Sequence, residues 1–355
     1  MKKIVSMVAM ALLFGGAAFA QNLAKPEAKA LQSFLAQSAA KGGNNAEALH
    51  MIGSNVASAP GVKVENGHVV EIDWHDKELA GDLNLSNFPG LKTVNVSNNK
   101  LTSLSLSNNP ALSVVNAGRN RISQFNINSC PNVQELRLYR NALSTIDVSG
   151  TPLLKVLNLS SNLIADLNVS NLTLLKSLNV TSNRLENLDV SMCQALKNLY
   201  AGYNELSNVT LAGLPALENL NLQSNKLSKM YLQNLPALQT AYVSDNHMVQ
   251  FAAINCKSLL DIFAAYNDLT AFEVQDCQTL QYVNLAWNDL VTLNLSSQNY
   301  LQRVNVSNNQ LITLDVSFDP MLTYVNLAGN TTLSDFRTQG DGALRQVVGI
   351  WDTLE

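Results

Sequence analysis

Histidines and acidic residues are the first candidates for chemistry, because an enzyme needs titratable side chains that converge in a cleft. The chain has four histidines, which are scattered: His50, His68, His75 and His247. Four acidic side chains recur at multiples of 21 residues, as a solvated face would: Asp147, Asp189, Glu273 and Asp315. The sequence has no serine-nucleophile motif, phosphate-binding glycine loop or calcium-binding glycine–aspartate repeat. It therefore predicts a protein that is not an enzyme and has no cofactor.

Cysteines are the second candidates, as metal ligands or as disulfides. Cys130, Cys193, Cys256 and Cys277 are separated by 63, 63 and 21 residues, which are all multiples of 21. This shared phase favours buried free thiols that fill one inward column. A disulfide between Cys256 and Cys277 is an alternative, although bonds pointing in parallel suit a bridge poorly. No histidine lies at a neighbouring phase, so no metal site is predicted.

The 21-residue spacing recurs along most of the chain. The hexapeptide VNVSNN occurs at 94–99 and again at 304–309, and an asparagine recurs every 21 residues without insertion. The twelve copies are Asn99, Asn120, Asn141, Asn162, Asn183, Asn204, Asn225, Asn246, Asn267, Asn288, Asn309 and Asn330. With position one at Leu91, this asparagine is position nine, and positions four and six are apolar in every copy. The pattern predicts a short strand that an asparagine closes, with the amide bonding its own turn and the next coil.

A second apolar-x-apolar step predicts an extended segment on the other side of each coil. It occupies positions fourteen and sixteen, for example in Ile146-Asp-Val148, Leu167-Asn-Val169 and Leu188-Asp-Val190. No single coil can bury its apolar edge, whereas a stack of coils shares one continuous core.

The unit L-x-x-L-x-L-x-x-N resembles the leucine-rich repeat family, over about residues 69 to 333. Its nested half is similar to the 21-residue bacterial subclass called IRREKO, and to exported leucine-rich repeat proteins of Bacteroidetes. The expected fold is a repeat solenoid of about thirteen coils, mostly β, with short strands on both sides of each coil. A small helical cap is expected at the amino end. Such a solenoid serves many unrelated functions.

Four segments are predicted along the chain. Residues 1–20 read as a signal peptide, with two lysines, an apolar stretch and a small-x-small cleavage site. Residues 21–68 form an amino-terminal cap, with a helix from Pro26 and a hairpin turn at Asn66-Gly67. Residues 69–333 form the solenoid and residues 334–355 a carboxy-terminal cap, in which Leu344, Val347, Val348, Ile350 and Trp351 cover the final coil.

The signal peptide predicts export to the periplasm, the cell surface or the medium, three destinations that the sequence does not distinguish. Removing its two lysines leaves 21 of 23 basic residues against 27 acidic ones, a net charge of −6. This balance disfavours a nucleic-acid partner. No other segment is apolar enough to predict a membrane span.

Departures from the internal template mark the candidate site. Positions three, five, seven and eight face outward, on the face that the resemblance implies to be concave. Position five is asparagine in eight of twelve copies. The four exceptions are Arg137, Tyr200, Tyr242 and Phe263, and other outward positions add Arg119, Tyr139, Arg140, Tyr203, Tyr266, Tyr282, Trp287 and Tyr324.

Two interpretations of these residues remain open. The aromatic residues either bind a protein or glycan ligand or form a cross-strand ladder that stabilises the sheet. The arginines either form a solvated face or bind an acidic partner. The predicted function is an exported, non-catalytic recognition module, and the alternative is a structural or assembly element of the cell envelope. The oligomeric state is not predicted.

Overall fold

The computed structural model describes residues 23–295, 298–317, 319–338 and 343–349. The predicted signal peptide at 1–20 lies outside these residues, as do Ile350 and Trp351 of the predicted carboxy-terminal cap. No helix of the described residues is long and apolar enough to cross a membrane. The chain divides into two compact units, Met1–Val133 and Gln134–Glu355, and each is described by itself.

The first unit begins with the predicted helix and hairpin. Helix α1 covers Lys25–Leu35, and strands β1 (Val62–Glu65) and β2 (His68–Asp73) pair antiparallel. Asn66 and Gly67 connect the strands with positive φ angles of 50° and 76°, as a tight hairpin turn requires. Both predicted elements are confirmed. Two further helical turns were not predicted: α2 at Asn45–Ala48 and a 3-10 helix at Val56–Ser58.

Apolar and charged contacts hold α1 against the first coil. Leu31, Phe34 and Leu35 are buried, and the Phe34 ring stacks on the buried Trp74 with centroids 5.6 Å apart. The Glu27 carboxylate is also buried. It accepts a hydrogen bond from the backbone N–H of Val69 at 2.8 Å and lies 2.6 Å from Nδ1 of His68. This carboxylate therefore fixes the start of β2 against the helix.

The rest of the first unit is repeat. Strand β2 continues into a parallel row with β4 (Thr93–Asn95) and β6 (Val114–Asn116). A second row contains β3 (Ala80–Asn84), β5 (Lys100–Ser105) and β7 (Gln124–Asn126). In β4 and β6 the middle residue is buried and its neighbours are half-buried, as a strand with one face toward a core requires.

The second unit contains a longer parallel row, which we call the main row. Its strands are three residues long, lie at positions three to five of successive coils, and pair in register. They are β8 (Glu135–Arg137), β9 (Val156–Asn158), β10 (Ser177–Asn179), β12 (Asn198–Tyr200), β14 (Asn219–Asn221), β16 (Thr240–Tyr242), β18 (Asp261–Phe263), β20 (Tyr282–Asn284), β21 (Arg303–Asn305), β23 (Tyr324–Asn326) and β25 (Gln346–Val348).

The opposite side of the second unit has shorter sheets, which we call the second row. Their strands are β11 (Asn187–Asp189) with β13 (Asn208–Thr210), β15 (Lys229–Gln233) with β17 (Gln250–Ile254) and β19 (Ala271–Gln275), and β22 (Thr313–Asp315) with β24 (Asp335–Arg337). The two units together make about thirteen turns with few helices. The predicted repeat solenoid, mostly β, is confirmed.

The second row corrects one prediction. No strand forms at Ile146–Val148 or at Leu167–Val169, although Val148, Leu167 and Val169 are buried as predicted. Burial of alternate side chains needs only an extended chain, whereas a strand also needs ladder hydrogen bonds with a neighbouring coil. In these two coils the apolar spacing therefore predicted three of the four inward side chains correctly, Ile146 being half-buried, and the strands wrongly.

Strands β24 and β25 lie in the segment predicted as the carboxy-terminal cap. Strand β25 pairs with β23, and β24 pairs with β22, both in parallel register. The described residues there continue the rows of the repeat. The boundary of the cap stays a prediction.

The position-nine asparagines form a buried ladder. In Asn162, Oδ1 accepts a hydrogen bond from the N–H of Leu143, and Nδ2 donates to the carbonyl oxygens of Leu138 and Leu159. Leu159 belongs to its own turn, whereas Leu138 and Leu143 belong to the preceding coil. The amide was predicted to serve the next coil, and this direction is wrong. It satisfies backbone groups of the coil on its amino-terminal side.

The four cysteines occupy the equivalent place on the second row. All are buried and unbridged, as predicted. The Cys130 thiol donates to the carbonyl oxygen of Leu106, 24 residues earlier, as Asn109 does to Leu85 in the same column. Burial raises the pKa of the Cys193 thiol to about 11, which keeps the thiol protonated and able to donate.

Candidate functional site

The main row of the second unit places most of the predicted site residues on its outward side. Each of these strands buries its middle residue and turns the first and third away from the core. Tyr200, Tyr242 and Phe263 end strands β12, β16 and β18, and Tyr282 begins β20. Tyr203, Tyr266 and Trp287 follow at position eight, in the turn after a strand.

Position five has a structural role that the sequence interpretation missed. In all eight copies with asparagine, Oδ1 accepts a hydrogen bond from the backbone N–H two residues later, as in Asn158 with Ser160 and Asn221 with Gln223. This bond tightens the turn that leaves the strand. The side chains of Tyr200, Tyr242 and Phe263 cannot accept it. These aromatic residues therefore replace a residue that stabilises the coil.

Position eight has a second structural constraint. Its backbone is left-handed in every copy, with φ between 54° and 59° at the non-glycine residues and 80° at Gly329. This conformation suits asparagine, aspartate and glycine and is an outlier for bulky side chains. The polar copies of the second unit are Arg140, Ser161, Ser182, Ser224, Asp245 and Asn308. Tyr203, Tyr266 and Trp287 have φ angles of 56°, 55° and 59°.

We call Tyr242, Phe263, Tyr282 and Tyr324 the strand row. The rings of Tyr242 and Phe263 stack with centroids 4.5 Å apart and planes 7° apart. Phe263 meets Tyr282 edge-on, with centroids 5.2 Å apart. Contacts of this geometry stabilise a sheet beyond the area that they bury. The ladder interpretation therefore explains part of the strand row.

Charges accompany the strand row. The guanidinium of Arg303 lies 5.0 Å from the Tyr282 ring centroid and 5.9 Å from that of Tyr324. Burial raises the pKa of Tyr282, and the Arg303 charge opposes that shift. Burial also raises the pKa of Asp261 at the start of β18, again opposed by Arg303. The strand row is therefore half-buried, and its rings contact mainly one another and Arg303.

We call Tyr203, Tyr266 and Trp287 the turn row. The rings of Tyr266 and Trp287 lie in adjacent coils, stacked 5.9 Å apart at 10°. Their side chains are nevertheless 59% and 52% exposed, and Tyr203 is 54% exposed. Tyr200 and Tyr203 have no ring partner among the described residues. The turn row thus leaves most of its aromatic surface in solvent, which a ladder does not explain.

The predicted arginines differ from one another. Arg137 of the second unit contacts the carboxylate of Glu135, two residues earlier on β8. Arg140 of the second unit and Arg119 of the first unit are exposed and share the left-handed backbone of position eight, with φ angles of 54° and 56°. An acidic partner for these residues stays a prediction.

The sequence interpretation missed two features of this face. Arg303 was not singled out, although it is the one arginine at position three, next to Tyr282 and Tyr324 of the neighbouring coils. The left-handed turn was also missed. The asparagine, aspartate and glycine at position eight were a sufficient signal for it, because these residues adopt positive φ most readily.

The described residues contain no group of histidine, cysteine and acidic side chains that suits a metal ion. The groove lined by Ser207–Ala212 and Leu227–Tyr231 contains no histidine, cysteine or acidic side chain.

Comparisons with known proteins agree with the fold described above. A leucine-rich repeat family model matches residues 276–294. The chain resembles an internalin (inlF) of Listeria monocytogenes with a TM-score of 0.53 and 19% identity, over 73% of this chain and 85% of that chain. The chain has the leucine-rich repeat fold. A leucine-rich repeat protein of Leptospira interrogans gives a TM-score of 0.50 and 21% identity, over 74% and 88% of the two chains.

A third leucine-rich repeat structure comes from Bacteroides thetaiotaomicron. It has a TM-score of 0.54 and 14% identity, over 76% of this chain and 39% of that chain. No curated protein matches the sequence. At these identities the leucine-rich repeat neighbours establish the fold alone. The 21-residue subclass stays a prediction.

Proposed function

We propose that this leucine-rich repeat protein is an exported, non-catalytic recognition module. It binds a protein or a glycan through the outward side of the main row in the second unit. The turn row (Tyr203, Tyr266 and Trp287) provides the principal contacts, and Tyr200 and the strand row support them. Proteins with this fold generally act as interaction modules.

One observation supports this proposal most strongly. Tyr203, Tyr266 and Trp287 occupy a left-handed backbone position that asparagine, aspartate or glycine would fill at lower cost. A left-handed conformation costs an ordinary residue about 1–2 kcal/mol. Stacking offsets part of this for Tyr266 and Trp287, and nothing described offsets it for Tyr203. Exposed aromatic residues that cost stability are typical of contact surfaces.

The test uses substitutions taken from the protein's own repeats. In the triple variant Tyr203→Ser, Tyr266→Ser, Trp287→Asn, each new residue matches another copy of position eight. Purified mature chain is immobilised and tested against a panel of glycans and against extracellular proteins. We expect the triple variant to lose at least about tenfold in affinity for whatever the wild-type chain binds, which corresponds to about 1.4 kcal/mol.

The matched control variant is Ser161→Asn, which changes position eight in a coil without aromatic residues. It should bind like the wild-type chain. Equal binding by the triple variant and the wild-type chain would show that the turn row is not the binding surface.

The exported location is a separate part of the proposal. It rests on residues 1–20, so fractionation of the native cells should find a chain that begins at Gln21 outside the cytoplasm. Full-length chain in the cytoplasm would refute it.

A further inference from the structure

We propose that the ligand of the turn row is a cationic segment of a protein, rich in arginine or lysine. The segment lies across Tyr266 and Trp287, with its positive groups on the rings and beside nearby carboxylates. This inference rests on the proposed recognition function and names the chemical class of the partner.

The protein already places a guanidinium on rings of the same face. Arg303 lies 5.0 Å from the Tyr282 centroid and 5.9 Å from the Tyr324 centroid. Within the described residues, no lysine or arginine lies over Tyr266 or Trp287. Those two rings are also more exposed than any ring of the strand row. They can therefore receive a positive group from another molecule by the same cation–π interaction.

The charge around the rings favours a cation. Three aspartates lie at position eight or ten of these coils, and Arg303 of the next coil adds one positive charge. Asp245 occupies position eight in the coil before Tyr266. Asp268 and Asp289 follow Tyr266 and Trp287 by two residues. Asp268 lies 3.6 Å from Nδ1 of His247, and Asp289 accepts a hydrogen bond from Gln310 at 2.8 Å.

The charge of these coils disfavours a neutral glycan. Stacking at 10° covers one face of each ring, and the exposed remainder suits a sugar or a cation alike. A neutral sugar gains nothing from the negative charge of these coils. A basic segment gains from both the rings and the carboxylates, because complementary charge speeds association and selects the partner.

The experiment uses labelled peptides of stated composition. Fluorescent deca-arginine is titrated with the mature chain and followed by anisotropy, beside deca-glutamate, a neutral glycine–serine peptide and neutral oligosaccharides. We expect deca-arginine alone to bind, and its affinity to fall as salt rises because the charges are exposed.

Three variants separate the contribution of the rings to binding from that of the carboxylates. Tyr266→Ser/Trp287→Asn should weaken deca-arginine binding about tenfold, and Asp245→Asn/Asp268→Asn/Asp289→Asn should weaken it by a similar factor. Trp287→Phe keeps a ring and should retain most of the affinity. Ser161→Asn changes position eight in a coil without aromatic residues and should not weaken binding.

Each other outcome overturns the inference. Loss with the aspartate variant but not with the ring variant would indicate a non-specific charge effect. Binding of neutral oligosaccharides that the ring variant abolishes would support the recognition function and refute the cationic partner. If wild-type chain and ring variant bind every probe and extracellular protein equally, both the inference and the proposed function fail.

Discussion

Asparagine has two separate structural roles in each coil of this protein. At position nine its buried amide bonds the preceding coil and its own turn, as Asn162 does. At position five a half-exposed amide accepts one N–H within the same turn, as Asn158 does from Ser160. The two roles differ in how many hydrogen bonds one amide makes and in how deeply it is buried.

The first prediction compares these two roles. Asn162→Ala removes the partner of the buried Leu143 N–H, whereas the carbonyl groups of Leu138 and Leu159 keep one donor each, Asn141 and Asn183. The variant should lower the free energy of unfolding by about 2–3 kcal/mol. Asn158→Ala removes one hydrogen bond from a turn that water can reach, and should lower the free energy of unfolding by about 1 kcal/mol. Urea denaturation followed by circular dichroism measures both. Similar losses for the two variants would contradict the ladder as a principal source of stability.

The second prediction concerns the strained turn. Trp287→Asn relieves the cost of the left-handed backbone at tryptophan, which is about 1–2 kcal/mol. It also removes one stabilising aromatic contact, which is worth about 0.5–1.5 kcal/mol. The two effects nearly cancel, so the urea midpoint should change little. The reverse exchange, Asn308→Trp, should destabilise the protein. A large loss of stability in Trp287→Asn would mean that the ring serves the fold.

The third prediction concerns acid. The backbone N–H and hydroxyl of the serine two residues later hold the pKa of Asp189 and of Asp315 below its ordinary value. The ionised carboxylates therefore contribute stability above the unfolded pKa, and this contribution is lost as pH falls through the folded pKa. Between about pH 5 and pH 3 the wild-type chain should lose more stability than Asp189→Asn/Asp315→Asn. Asn168 bonds Ser170 in the same way, so this variant should fold.

A parallel pH dependence in the wild-type chain and the asparagine variant would show that these two carboxylates do not contribute. Thermal denaturation at matched ionic strength makes the comparison, because screening changes with salt.

At the scale of elements, periodicity predicted the main row and only part of the second row. Every coil has the same apolar spacing, and every main-row strand finds a neighbour in register. On the second row the same spacing forms strands at Asn187–Asp189 and none at Ile146–Val148. Inward burial follows from the side chains of one coil, whereas pairing depends on the path of two backbones.

The candidate site was likewise predicted only in part from the sequence. The aromatic residues were found in the sequence because they depart from an internal template. Their stacking geometry, the position of Arg303 and the left-handed turn depend on the spacing of adjacent coils. The unit repeat predicts which column a residue occupies, and it does not predict how two side chains in that column meet.

At the scale of the whole molecule, the fourth prediction separates recognition from assembly. A recognition module presents its exposed rings to a different molecule, so the mature chain should stay monomeric at high concentration. Multi-angle light scattering measures the mass. Growth of the mass with concentration, abolished by Tyr266→Ser/Trp287→Asn, would instead favour the envelope-assembly alternative.

The second row of the second unit is interrupted between its first two sheets. Strands β13 and β15 lie in consecutive coils, yet in the described residues they belong to separate sheets. Ser207–Ala212 and Leu227–Tyr231 line a groove of roughly 330 Å³ between them.

In a repeat protein, stability is nearly a sum of contacts between neighbouring repeats. The interface between these two coils keeps its main-row pairing and lacks the second ladder, as do the coils at Ile146–Val148 and Leu167–Val169. The unit should therefore open more readily at such interfaces than inside the sheet of β15, β17 and β19. We expect the amide protons of Val209 and Leu211 to exchange with deuterium well before those of Phe251, which β17 holds between two neighbours. The break would then divide the unit into two cooperative folding segments.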